Sequence, residues 1–138
     1  MNKWTTKQIA PVVLLCALTS SWAEEATPAE GAALYERHCT ACHGVYGQGD
    51  GPMAPDLEVA LEDLRGLTAR NDGSFPEAWV RQIVDGREMR AVHGPMGKPV
   101  WGEVFGVGAS SVEEGEALAR SRLDAIVAFL RSVQRNPS

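Results

Sequence analysis

Cys39, Cys42 and His43, in the run Cys39-Thr40-Ala41-Cys42-His43, are the residues of this 138-residue chain whose types and spacing point to chemistry. Two thiols three positions apart near a helix end lie on one side of the chain, and the imidazole next in sequence shares that side. Each thiol can add to one vinyl group of a single porphyrin, and the imidazole can then reach the iron from the same face. The spacing is the attachment signature of haem c, with Cys39 and Cys42 as thioether positions and His43 as the proximal iron ligand.

Two other uses of such cysteines fit less well. A structural zinc site closes with four ligands. Beside the two thiols, however, residues 24–138 offer only His38, His43 and His93, and no second cysteine pair. A thioredoxin-like redox pair sits at a helix start within an α/β pattern, whereas here the cysteines follow a helical segment.

The chain begins with Lys3 and Lys7, an apolar run from Ile9 to Leu18, and Ser21-Trp22-Ala23 with small residues at both cleavage-determining positions. This reads as an export signal, residues 1–23, cleaved after Ala23 to leave a single domain over residues 24–138. The apolar stretch is too short for a membrane span of roughly 20 residues. Val13-Leu14-Leu15 lacks the small residue of a lipoprotein site before Cys16, so no stable membrane anchor is expected. Cleavage removes Cys16 and leaves Cys39 and Cys42 in an oxidising compartment, where unused thiols do not persist. It also removes two of the 13 basic residues and none of the 18 acidic ones, so 11 face 18, a formal balance of −7. An acidic surface excludes a nucleic-acid partner, whose phosphates require a basic face, and suits a protein partner with a basic docking patch.

Three segments must position the motif. Thr27-Pro28-Ala29-Glu30 is a capping box with proline at the first helical position, which predicts a helix from Pro28 to about Cys39. A second box, Ser74 to Glu77, opens a helix carrying Trp79, Val80, Ile83 and Val84 and ending at Gly86. A third, Ser111 to Glu114, opens the longest helix, from Val112 to about Val133, with Leu123, Ile126, Val127, Leu130 and Val133 at helical spacing. A short helix is expected near Val59 to Leu64. Between these elements lie Gly44 to Pro52, with four glycines and a proline in nine residues, and the glycine-rich stretch His93 to Gly108, both read as loops. The fold class is all-α, with three to four helices and long Gly-rich loops that need a large apolar body to wrap around.

From about Glu30 to Gln134 the chain resembles the class I cytochrome c family. The resemblance rests on Gly31 and Tyr35, Cys39 to Gly44, Gly47 to Pro52, Ile83-Val84-Asp85-Gly86, Pro99-Val100-Trp101-Gly102 and Phe129-Leu130. It implies that the first and last helices cross at one haem edge, with Gly31 allowing their approach and Tyr35 packing against Phe129. It also implies that the carbonyl of Pro55 accepts a hydrogen bond from His43, which raises ligand basicity.

The pattern breaks at the sixth ligand. Relatives carry a methionine directly before Pro-Val-Trp-Gly, where this chain has Lys98, and Met96 lies two positions early. Met96 is soft and needs no deprotonation, and Gly94 and Gly97 let the loop shift. Lys98 is in register, but a neutral amine at pH 7 costs about 4.6 kcal/mol before any bond forms. His93, Met89 and Met53 are weaker candidates. Trp101 fits core burial or a bond to a haem propionate, and Arg65 and Arg70 fit either a solvated surface or propionate neutralisation.

The resulting expectation is a periplasmic mono-haem carrier of single electrons in a respiratory or oxidative chain. It has no catalytic residues of its own and exchanges electrons with redox partner proteins. The competing readings are a haem-based small-ligand sensor or peroxidase-like protein with a labile sixth ligand, and a cytochrome subunit of a larger oxidoreductase.

Overall fold

A computed structural model describes residues 26–87 and 99–135. The first helix, α1 (Pro28–His38), starts where the Thr27 hydroxyl accepts the Glu30 N–H at 3.3 Å and proline takes the first helical position. A one-turn helix, α2 (Thr40–His43), follows after a break at Cys39. Further along are α3 (Leu67–Arg70), α4 (Glu77–Asp85), α5 (Trp101–Val104) and the 21-residue α6 (Val112–Ser132). No strand occurs among the described residues, and none of their helices is long and apolar enough to cross a membrane.

The α6 terminus is built as its sequence indicates. Ser111 Oγ accepts the Glu114 N–H at 3.2 Å, and the Glu114 carboxylate reaches back to accept the Ser110 N–H at 2.7 Å, one residue beyond the partner in the standard box. Glu113 and Glu114 lie in its first turn and Arg131 in its last, the sense the helix dipole favours. Its inner face buries Leu123, Ala125, Ile126, Val127 and Leu130.

Three expectations are corrected. The helix near Val59 to Leu64 does not form: the chain there is irregular, and a 3₁₀ turn (Leu64–Gly66) leads into α3 instead. Asp63 starts that turn by accepting the Arg65 N–H at 2.9 Å, a local bond that fixes where helical structure begins. Ser74 does not cap α4. Pro76 (φ −81°, ψ 64°) is the centre of an inverse γ-turn in which the Phe75 carbonyl accepts the Glu77 N–H at 2.9 Å, so the role expected of the Ser74 hydroxyl is already filled. Finally, the stretch read as loop up to Gly108 contains α5. The end of α4 is as expected, with Gly86 left-handed at φ 73° and its N–H on the Gln82 carbonyl at 3.0 Å. α4 packs through Val80 and Val84, while Trp79 lies off that line and is about half exposed.

α1 and α6 form the most extensive helix pair, and α4 and α5 also pack on α6. The crossing point is Gly31. A Cβ there would overlap the Ala125 carbonyl oxygen and lie 2.5 Å from its carbon and 2.8 Å from Phe129 Cβ. Beside it the rings of Tyr35 and Phe129 meet with centroids 5.0 Å apart. The core around this crossing comprises Tyr35, Leu67, Val80, Phe105 and the buried face of α6.

Beyond α6 the chain is stitched back. Gln134 accepts the Thr68 N–H at 2.9 Å and donates to the Leu64 carbonyl at 2.9 Å, and the Arg135 N–H donates to the Arg65 carbonyl at 2.9 Å. Ion pairs Arg81–Asp124 and Arg131–Glu77 join α4 to α6.

Replacing a helical glycine by alanine ordinarily gains about 1 kcal/mol. At Gly31 the obstacle is a backbone carbonyl that cannot swing away, so Gly31→Ala is expected to destabilise the protein by about 2 kcal/mol net. Urea unfolding, read as a lower midpoint at unchanged slope, checks it.

Candidate functional site

The turn that holds the cysteines has a complete account of its backbone. The Cys39 carbonyl accepts both the Cys42 N–H at 3.2 Å and the His43 N–H at 2.9 Å, closing one helical turn that sets Cys39, Cys42 and His43 on a common face. A helix leaves its last four carbonyls without internal partners. Here the loop that follows supplies them: Gly44 donates to Thr40 at 3.0 Å, Met53 to Ala41 at 2.8 Å, Gly51 to Cys42 at 3.1 Å and Gly49 to His43 at 2.9 Å. The glycine-rich loop therefore serves as the C-terminal cap of α2.

That path requires Gly44, at φ 77° and ψ 162°, where a Cβ would overlap the Asp50 carboxylate. Gly47 and Gly49 also lie at positive φ. From α1 the buried Tyr35 hydroxyl donates to the Gly44 carbonyl at 3.0 Å, so one side chain links the helix crossing to the first residue after His43. The Gly47 carbonyl accepts the Leu64 N–H at 2.7 Å and joins the loop to the 3₁₀ turn. Pro55 sits in a second 3₁₀ turn (Ala54–Asp56) directly after Met53, which is itself half exposed.

Cys39 and Cys42 are both half-buried and are not joined to each other. Cys39 packs against the hydrophobic core, and burial, followed by the nearby Cys42, pushes its thiol up to about 12. At neutral pH Cys39 is thus an uncharged thiol. Among the described residues no three His, Cys, Asp or Glu side chains converge as they would on a metal ion.

His38 serves a different purpose from its neighbours. Its ring meets the edges of Trp101 and Phe105 at centroid distances of 5.1 and 5.5 Å, and those two rings stack at 5.3 Å. Burial, then Arg37 and Arg122, hold its pKa below the usual histidine value, and Arg122 donates to the Phe105 carbonyl at 2.8 Å. Trp101 is half-buried in this stack. Sequence reasoning missed Phe105 and the role of His38. The spacing of Trp101 and Phe105, four apart and therefore on one helical face, was the available signal.

Arg65 and Arg70 are engaged by protein acids. Arg65 binds the Asp63 carboxylate through two nitrogens at 2.9 and 2.8 Å, which holds Asp63 well below the usual carboxylate range. Arg70 donates to the Asp63 carbonyl at 2.9 Å and pairs with Glu62 at 3.2 Å. Arg135 also pairs with Asp63. The sixth-ligand candidates Met96, Lys98, His93 and Met89 lie outside the described residues.

Residues 28–134 match the family model described as Cytochrome c. The chain belongs to the cytochrome c family. Its domain is that of an electron-transfer haem protein, and the all-α architecture is the fold of that family. Comparison with curated proteins and with solved structures gives no match. The residues of this cytochrome fit the group its family binds: two thiols without a disulfide and one imidazole share a face, and the backbone beneath them is fully hydrogen-bonded.

Tyr35→Phe would leave the buried Gly44 carbonyl without its hydroxyl donor. The expected loss is about 1–2 kcal/mol of stability, read by urea unfolding. A second outcome concerns pH. A carboxylate whose pKa is lower folded than unfolded adds stability above the ordinary value of 3.8, and that stability drains away as pH falls toward the folded value. Asp63→Asn should therefore flatten the loss of thermal stability below about pH 4, measured as Tm against pH.

Proposed function

We propose that this protein is a periplasmic mono-haem c-type cytochrome that carries single electrons in a respiratory or oxidative chain. The observation that supports it best is the common face of Cys39, Cys42 and His43 on a turn whose every terminal carbonyl is taken by the loop beyond. A scaffold with this little freedom suits a redox group that must change charge with minimal rearrangement.

In this reading Cys39 and Cys42 form the thioethers and His43 is the proximal ligand. Haem, when bound, supplies an iron that alternates between ferrous and ferric states. The protein's part is to fix the group and to tune it. Two covalent links keep the cofactor from diffusing away, the Pro55 carbonyl orients the His43 imidazole, and Met96 closes the opposite side of the iron in preference to Lys98. The acidic balance of residues 24–138 suits redox partners with a basic docking patch, and residues 1–23 direct export.

Co-expression with the haem-attachment machinery tests the reading. The expected product starts at Glu24, carries one haem that survives denaturation, and gives six-coordinate spectra in both oxidation states. Cys39→Ser and Cys42→Ser each leave a single link, and Met96→Ala opens the iron to carbon monoxide while Lys98→Ala does not. A product without covalent haem, or a wild-type ferrous form that is five-coordinate, overturns the proposal.

A further inference from the structure

The loop that caps α2 carries apolar side chains on its outer surface. Its first turn is closed by the Gly47 N–H on the Gly44 carbonyl at 3.2 Å, and Val45 and Tyr46 between those glycines are 69% and 71% exposed. A second stretch, residues 58–62, lies alongside. The Leu64 N–H reaches the Gly47 carbonyl at 2.7 Å and a Cβ on Gly49 would lie 2.6 Å from the Leu61 carbonyl oxygen, so the two segments run side by side. That stretch exposes Val59 at 58%. Single exposed apolar residues are ordinary on a protein surface. Three on adjoining segments with a charged surround form the pattern of a protein contact.

The surround is acidic. Between Thr40 and Asp63 stand Asp50, Asp56, Glu58 and Glu62, and no lysine or arginine. All four acids are exposed. Glu62 pairs with Arg70, while the other three form no ion pair with another described residue. On α4 and α6, by contrast, Glu77, Asp85 and Asp124 are each matched by an arginine. The face is also close to the cysteine turn, because Gly49 and Gly51 of the same loop donate to the carbonyls of His43 and Cys42.

We propose that this face, centred on Val45, Tyr46 and Val59 and rimmed by Asp50, Asp56 and Glu58, docks the redox partner, a protein whose contact surface has an apolar centre and a basic rim. The proposal rests on the electron-carrier reading and adds to it where the partner sits. The two kinds of residue act at different ranges. The acids reach across roughly a Debye length, about 10 Å at 0.1 M salt, and so steer the encounter and set its rate. The apolar centre acts only on contact and holds the complex together.

The test uses the holoprotein and two metal complexes that imitate such a partner face, both of them trivalent cations with aromatic surfaces. Tris(phenanthroline)chromium(III) is paramagnetic and inert to ligand substitution, and is expected to broaden the backbone amide signals of residues 45, 46, 58 and 59 before those of other residues. Tris(phenanthroline)cobalt(III) accepts one electron: the ferrous protein becomes ferric, cobalt(III) becomes cobalt(II), and no bond or proton moves. At low ionic strength Glu58→Lys should slow this oxidation about fivefold, with the difference shrinking as salt is added. Tyr46→Ser, which keeps the charge, should slow it about threefold with or without salt. Glu113→Lys makes the same change in net charge near the start of α6, about 30 Å along that helix from the end where Gln134 meets Leu64, and should stay within about twofold of wild type. Reduction potentials close to wild type, measured by redox titration, show that the rates report docking.

Broadening centred on another face overturns the proposal. So does an equal slowing in Glu58→Lys and Glu113→Lys, since net charge alone would then be acting. An unchanged rate in Tyr46→Ser overturns it as well, because the apolar centre would then make no contact. A wild-type holoprotein that sediments as a dimer and becomes monomeric in Tyr46→Ser gives the patch to a second copy and has the same result. Failure of the underlying reading is seen separately, in a wild-type product without covalent haem or one that gives no electron to the cobalt complex, and the proposal falls with it.

Discussion

The contact on which the rest depends is the approach of Gly31 to the Ala125 carbonyl. No side chain separates α1 from α6 there, so the two helices meet backbone to backbone and their relative placement is set by atoms that cannot adopt another rotamer. Everything on α1 inherits that placement. Tyr35, one helical turn further on, packs its ring on Phe129 and sends its hydroxyl to Gly44. The cysteine turn thereby receives its position from a helix crossing on the other side of the same side chain. The burial of Leu123, Ile126, Val127 and Leu130 supplies the hydrophobic driving force, and the glycine decides the geometry in which it is realised.

Much of this could be read from the chain because it is local. The caps at Thr27 and Ser111, the stop at Gly86 and the Cys39–His43 turn are each decided within a few residues, and all of them form. Where a local signal failed, a competing local bond had taken its place: the inverse γ-turn at Pro76 displaced Ser74, and the Asp63 carboxylate started a 3₁₀ turn beyond the segment expected to be helical.

What could not be read is what joins distant positions. Arg87 pairs with Glu116 across 29 positions, and Gln134 reaches Thr68 across 66; neither partnership leaves a periodic trace. His38 is a similar case. Next to a cysteine it reads as a spare ligand, and only the folded chain assigns it to Trp101 and Phe105. The identity of the chemistry was therefore legible from one short motif, whereas the supports that tune it depend on tertiary partners.

The raised pKa of Cys39 bears on the reactivity of its sulfur. Thiol–disulfide exchange proceeds through the thiolate, and a thiol with a pKa of about 12 presents only about one thiolate in a hundred thousand at pH 7. The same apolar packing that completes the hydrophobic core therefore makes Cys39 itself a poor nucleophile, so that burial sets the reactivity of this sulfur apart from that of an exposed thiol.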